Sequence, residues 1–353
     1  MKKLLTIGLL ALTSLASQAQ TDVTPFIPGS TLEGVNYYLP RTALRIVVET
    51  EKTVTTPGEL AKYAFKYMRM NDVPTETSTD WGITKITMEP YGVPDKKKAY
   101  SVKVKSKTLA PLVSLTRDGI LMAINKEVEE DVLPALPEGE EAPALPDPKK
   151  FMSQDMLAAS STAKLADLCA QEIYDIRDSR NALVRGEAEN TPKDGAQLKL
   201  MLDQLALQAE TLESLFKGTK QTSKHVFVLS VDPSEEGEHL IFRFSKHLGL
   251  VDADDLSGRP FYLSVKGMNT LPEPVTDPNV DKKKAKMEKG VYYNVPAREA
   301  LSLHDDQQTY VKAEYPMGQF GTVEILSDAL FNKGVTTKVS FHQTTGGVEK
   351  IEQ

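Results

Sequence analysis

The sequence predicts an α+β protein: two mostly antiparallel β-rich modules with a central antiparallel α-hairpin. Three observations lead there. Residues 153–218 carry apolar side chains at helical spacing, in two runs parted by a short polar break. On either side, short runs rich in β-branched and aromatic residues alternate with polar ones, between Gly, Pro and Asn punctuation. Those runs come in consecutive series instead of alternating with helices, which speaks against a doubly wound parallel sheet.

The chain opens with a leader. Met1-Lys2-Lys3 is basic, Leu4 to Ala16 is apolar, and Ser17-Gln18-Ala19 offers small residues where a signal peptidase reads them. Residues 1–19 are therefore expected to be a signal peptide cleaved before Gln20, and the run is too short to span a membrane. No later stretch reaches 18 consecutive apolar residues, so no membrane span is expected in the mature chain. The single cysteine, Cys169, excludes an internal disulfide and reads as a small buried apolar residue. The chain has 42 basic and 49 acidic side chains, a formal net charge of −7. That mildly acidic balance argues against nucleic acid as a partner.

Residues 20–126 form the N-terminal β-rich segment. Residues 34–40 read as a strand ending in a proline corner at Pro40, and Ala43 to Val54 as a longer strand. Thr56-Pro57-Gly58-Glu59 has the form of a capping box with proline at the first helical position, followed by a short amphipathic helix. Strand-like runs return at 83–88, 99–105, 111–115 and 120–125, and Arg117-Asp118-Gly119 reads as a tight turn. Residues 127–150 are acidic and carry prolines at 134, 137, 143, 146 and 148, the composition of a semi-extended linker.

Residues 151–218 hold the hairpin. Leu165, Cys169, Ile173, Ile176 and Leu183 form the stripe of its first helix, and residues 186–190 its loop. In the second, Thr191 is read as the N-cap with Pro192 first in the helix, and Gly218 as the left-handed stop. Leu198, Leu202, Leu205, Ala209, Leu212 and Phe216 follow the 4-3 rhythm of a packed seam. One reading makes the hairpin an interaction spike or an oligomer seam. The other buries each stripe on its partner helix and the flanking sheets, and it expects Leu202, Leu205 and Leu212 to be buried.

Residues 219–353 return to strands at 226–231, 240–245, 261–266, 291–295, 309–315, 321–326, 336–341 and 348–351. One echo links the arms: residues 34–40 recur as residues 290–296, and Ala43-Leu44 matches Ala300-Leu301 after a one-residue shift. It reads either as a duplicated module or as two uses of one strand-to-proline device.

The patterns that could carry chemistry are weak. Ser161-Thr162-Ala163-Lys164 and Ser179-Arg180-Asn181 fit two penicillin-recognising signatures, but both fall in the hairpin and no Lys-Thr-Gly strand follows. His225, His239, His247, His304 and His342 show no metal-ligand spacing. Asp252-Ala253-Asp254-Asp255 lacks the calcium-loop spacing and reads as a solvated turn. Lys96-Lys97-Lys98 and Lys282-Lys283-Lys284 read as solvated loop tips. No metal, no cofactor and no catalytic residue is assigned.

The residues 173–180, Gly186, Pro192-Lys193-Asp194-Gly195 and Leu215-Phe216-Lys217-Gly218 form a distinctive set. So do Glu33-Gly34-Val35, Tyr38-Leu39-Pro40 and Gly318-Gln319-Phe320-Gly321. Together they resemble an exported family of unknown function from Bacteroidetes-type bacteria, over nearly the whole mature chain. The resemblance implies compartment and architecture and brings no activity. The expected role is a non-catalytic binding or scaffolding protein of the cell envelope, periplasmic or associated with the outer envelope. Its partner would be an envelope protein, a glycan, or a second copy held through the hairpin. The alternative is an exported hydrolase acting on glycan, peptidoglycan or peptide, with acids or histidines assembled by the fold.

Overall fold

The computed structural model describes residues 21–25, 35–104, 113–271, 290–327, 330 and 337–353. The leader at 1–19, Gly34 and the lysine run at 282–284 lie outside the described residues. The strands, in chain order, are β1 (Thr21–Pro25), β2 (Val35–Thr56), β3 (Ser78–Val104), β4 (Val113–Leu115) and β5 (Leu121–Ile124). After the helices come β6 (Thr219–Val231), β7 (Gly237–Ser245), β8 (Gly249–Val251) and β9 (Arg259–Gly267). The series ends with β10 (Gly290–His304), β11 (Thr309–Ser327), β12 (Lys338–Phe341) and β13 (Val348–Glu352). The helices are α1 (Ala64–Met68), α2 (Gln154–Leu157), α3 (Thr162–Arg185) and α4 (Gly195–Lys217). The α+β class and the α-hairpin are as the sequence predicts.

Among the described residues three antiparallel sheets form, in the orders β1-β3-β2-β6, β11-β10-β9-β7-β8 and β13-β12-β5-β4. The first two face each other across a core of Leu44, Ile46, Val48, Ile86 and Met88 on one side. Phe242, Phe244, Phe261, Leu263, Val265, Leu301 and Leu303 answer from the other. The third sheet closes a second core with the far ends of the long strands, around Tyr37, Leu39, Val102, Val291, Val339 and Phe341. Strands from both arms share sheets. β6 pairs with β2 from Leu44↔Val231 to Thr56↔Thr219, and β12 pairs with β5.

The proline corner expected at Pro40 is instead a bulge inside one continuous strand of 22 residues. Tyr38 pairs with Ala99 and Pro40 with Pro94, so residues 95–98 loop out opposite Leu39. The other arm repeats the device: Val295 pairs with Thr322 and Ala297 with Met317, leaving residues 318–321 opposite Pro296. The offset that aligns Ala43-Leu44 with Ala300-Leu301 also superposes these two bulges. A proline has no N–H to give a ladder, so a bulge is the place where a long strand tolerates one. By simple alternation β2 serves both cores, with Tyr37 and Leu39 in one and Leu44, Ile46 and Val48, of the opposite parity, in the other.

Two expected caps are corrected. Thr56 stays in β2, paired with Thr219, and the short helix starts as a 3₁₀ turn at Ala61–Tyr63 with no side-chain cap. The chain there is tied to the hairpin instead: Leu60 N–H donates to Leu215 O at 2.7 Å. Gly58 must be glycine, because a Cβ would overlap that same carbonyl. The N-cap of α4 is Asp194, not Thr191; its carboxylate accepts from Ala196 N–H at 2.9 Å, while Thr191 bonds Ala188 O. An ionised oxygen next to the positive helix end makes the stronger cap.

Residues 127–150 lie along the surface as a strap. Gln343 holds it at both ends of its amide, accepting from Asp131 N–H and donating to Glu129 O. Arg45 donates to Pro134 O. Farther on, Lys224 N–H donates to Glu140 O and Ala142 N–H to Thr222 O, which covers part of the free edge of β6.

Candidate functional site

The hairpin has two unlike halves. Its root is core: Ala166, Cys169, Ala170, Ile173 and Ile176 of α3 pack with Leu212, Leu215 and Phe216 of α4 and with Leu60, Ala64 and Met68. Burial pushes the Cys169 thiol up to about 11, as expected of an inert apolar cysteine. Arg177 of α3 crosses to Glu213 of α4 at 2.7 Å and ties the two helices at this level, while Lys217, one turn on in α4, pairs with the same carboxylate at 3.3 Å. Beyond it, from residue 177 to 210, Leu183 alone is buried. Of the three leucines expected to be buried, Leu212 is fully so, whereas Leu202 and Leu205 are half-exposed. Leu205 still packs against the edge of the root cluster, and the seam above it is less covered.

The apex is apolar all the same. Val184, Leu200 and Met201 are 66 %, 60 % and 40 % exposed. At about 100° per residue, the charges of α4 (Lys199, Asp203, Glu210, Glu213 and Lys217) fall on one side. Gln197, Leu200, Met201 and Gln204 fall on another, which continues downward as Leu207, Thr211, Ser214 and Leu215. The lower part of this uncharged face is covered by residues 58–63 and by Pro148–Phe151. The upper part is open. A sequence wheel that separates charged from uncharged positions finds this face; a wheel that marks only the seam misses it.

A second feature lies where the three sheets meet. A cleft of about 550 Å³ is lined by Pro90, Pro296, Pro316, Tyr293, Val295 and Val348, with His342 and Asp131 at its rim. Asn294 builds its wall: its amide donates to Pro40 O at 2.9 Å and Thr345 O at 2.8 Å, and its own N–H to Gly346 O at 3.0 Å. Gly318 approaches this joint so closely that a Cβ would stand 2.7 Å from the Asn294 amide.

The other sequence candidates find structural partners. Ser161 is the N-cap of α3, accepting from Lys164 N–H, and Lys164 pairs with Asp167. His225 lies 4.9 Å from the Trp81 ring and within 2.9 Å of Ser223 Oγ. His239 and His247 meet the carbonyls of Glu235 and Thr79, and His304 sits 3.1 Å from Glu238. Arg243 ties the 252–258 turn by donating to Ala253 O and Gly258 O. Among the described residues no group of three or more His, Cys, Asp or Glu side chains is placed to hold a metal. Nor is any helix among them long and apolar enough to cross a membrane.

One carboxyl stands out. Glu299 is 2 % exposed and its Oε2 has no partner. Burial, and then the Glu236 carboxylate, raise its pKa. A raised acid stabilises the fold least when ionised, so stability falls as pH climbs from the unfolded value of 4.5 through the folded one. Glu299→Gln cannot ionise. It is expected to match the wild type at pH 4 and to unfold at a higher temperature than the wild type at pH 8.

A family model described as "Domain of unknown function (DUF4831)" matches residues 33–349. Neither the comparison with curated proteins nor that with solved structures gives a match.

Proposed function

The chain belongs to that family of unknown function, and we propose that it is an exported, non-catalytic binding or scaffolding protein of the cell envelope. Its contact surface is the hairpin apex. The observation that carries this reading is the open upper half of the uncharged α4 face, with Leu200 and Met201 exposed above a root that is fully packed. Exposed apolar side chains gathered on one rigid face are the usual mark of an interaction site. The leader at residues 1–19 supports export to the periplasm or outer envelope.

The test is a photo-crosslinking side chain placed at Met201 and, as a control on the charged side, at Asp203, in the producing cells. A discrete adduct is expected from position 201 and not from 203, and it is expected to vanish when Leu200→Asp is added. An adduct of twice the chain mass makes the partner a second copy. Equal labelling from both positions, or none from either, rejects the apex. Leu200→Asp itself is expected to leave the unfolding midpoint within about 0.5 kcal/mol of wild type, as exposed positions do.

A further inference from the structure

We infer that the cleft between the three sheets is a docking site for an extended, proline-containing peptide segment, separate from the hairpin apex. A proline-containing segment, the strap, forms one wall of the adjoining groove. Leu133 and Pro134 of the strap line it together with residues 89–93 of β3. The two hollows share Pro90, Asp131, Gln343 and Thr344. In the groove, Gln343 supplies both halves of its amide to the strap backbone and Arg45 takes the Pro134 carbonyl. Beside the cleft, the chain thus already keeps an extended, proline-bearing backbone in place with a few fixed hydrogen bonds.

The cleft continues the same surface, and of the strap only Asp131 lines it. Its floor is three proline rings, Tyr293 and two valines. Aromatic faces are what grooves offer polyproline-like segments, whose ordering cost is already low, and Tyr293 supplies one here. A saccharide would need free hydrogen-bonding groups deep in the site. Both deep amides are taken: Gln343 by the strap, and Asn294 by Pro40 O and Thr345 O, with Lys98 at its Oδ1. His342 and the Asp131 carboxylate stand exposed at the rim, and the Tyr293 and Thr344 hydroxyls line the cleft beside them, where they can meet peptide backbone. At about 550 Å³ the cleft has the size of a ligand pocket.

The probe is the capped hexapeptide copying Val132–Pro137, titrated calorimetrically into the full mature chain. Saturable binding is expected, weakened about tenfold by Tyr293→Ala, the loss of one aromatic stacking contact. A smaller loss is expected from His342→Ala, which sits on the exposed rim and should not disturb folding. The same peptide with both prolines replaced by serine is expected to lose the heat signal. Tyr293 and His342 line the cleft and not the strap groove, so binding that ignores both substitutions means strap displacement and overturns the site. Binding of a neutral oligosaccharide in place of the peptide overturns the ligand class. No saturable binding of either up to millimolar concentration overturns the proposal itself.

Discussion

Leu212→Ala is expected to destabilise the protein by about 2–5 kcal/mol, read as a lower midpoint in chemical unfolding with an unchanged slope. Leu212 is fully buried in the cluster that joins α3, α4, α1 and Met156. Removing its branched end deletes the transfer energy of three carbons and leaves a void that helices locked by Glu213 cannot close. Two turns or more up the same helix the outcome reverses. Leu200→Ala removes a side chain that is already 60 % exposed, and the midpoint is expected to move by less than about 0.5 kcal/mol. A pair of leucines in one helix thus reports where the core ends.

Asn294→Ala is expected to cost a comparable amount, roughly 2–5 kcal/mol, for a different reason. Asn294 is completely buried, and its amide satisfies the carbonyls of Pro40 and Thr345, which belong to different parts of the chain. Truncation leaves both acceptors in the interior without a donor, and each such loss costs about 1–3 kcal/mol. It also opens space beside Gly318 and Gly346, whose close approach depends on that amide. Asn294→Asp, which keeps the shape but takes away the donor hydrogens, is expected to be at least as damaging. Thermal unfolding of the two variants, side by side, checks this.

Local order was readable in the sequence wherever neighbours in the chain decide it. Gly186 ends α3 in the left-handed conformation at φ 72°, as the pattern requires, whereas Gly218 ends α4 at φ 74° but with an extended ψ of −173°, a positive-φ stop outside the left-handed helical well. The Arg117-Asp118-Gly119 turn forms, with Gly119 at φ 85°. Thr191 misled because threonine and Pro192 imitate a helix start, whereas Asp194 three residues on holds the better oxygen. Pro40 misled because a lone proline reads as a break, and only the partner strand, with residues 95–98 to spare, shows that the ladder resumes. β8, three residues long, has no period to detect.

Long-range assembly was not readable. Nothing near Thr219 announces a partner at Thr56, and the pairing of β12 with β5 joins residues more than two hundred positions apart. The proline cleft shares that cause, since Pro90, Pro296 and Pro316 come together only through the sheets. The apex is the opposite case: its uncharged face is written in α4 itself, but its exposure depends on where the sheets stop.

The measurement that tests the central claim most directly is amide hydrogen exchange along α4 in the isolated mature protein. A packed root under a free apex predicts slow exchange at residues 211–217, with opening energies near the global value, and exchange faster by orders of magnitude at residues 198–206. Uniform slow exchange along the whole of α4 in a monomer would contradict the account, because the apex would then have a partner within the chain and no face left to offer.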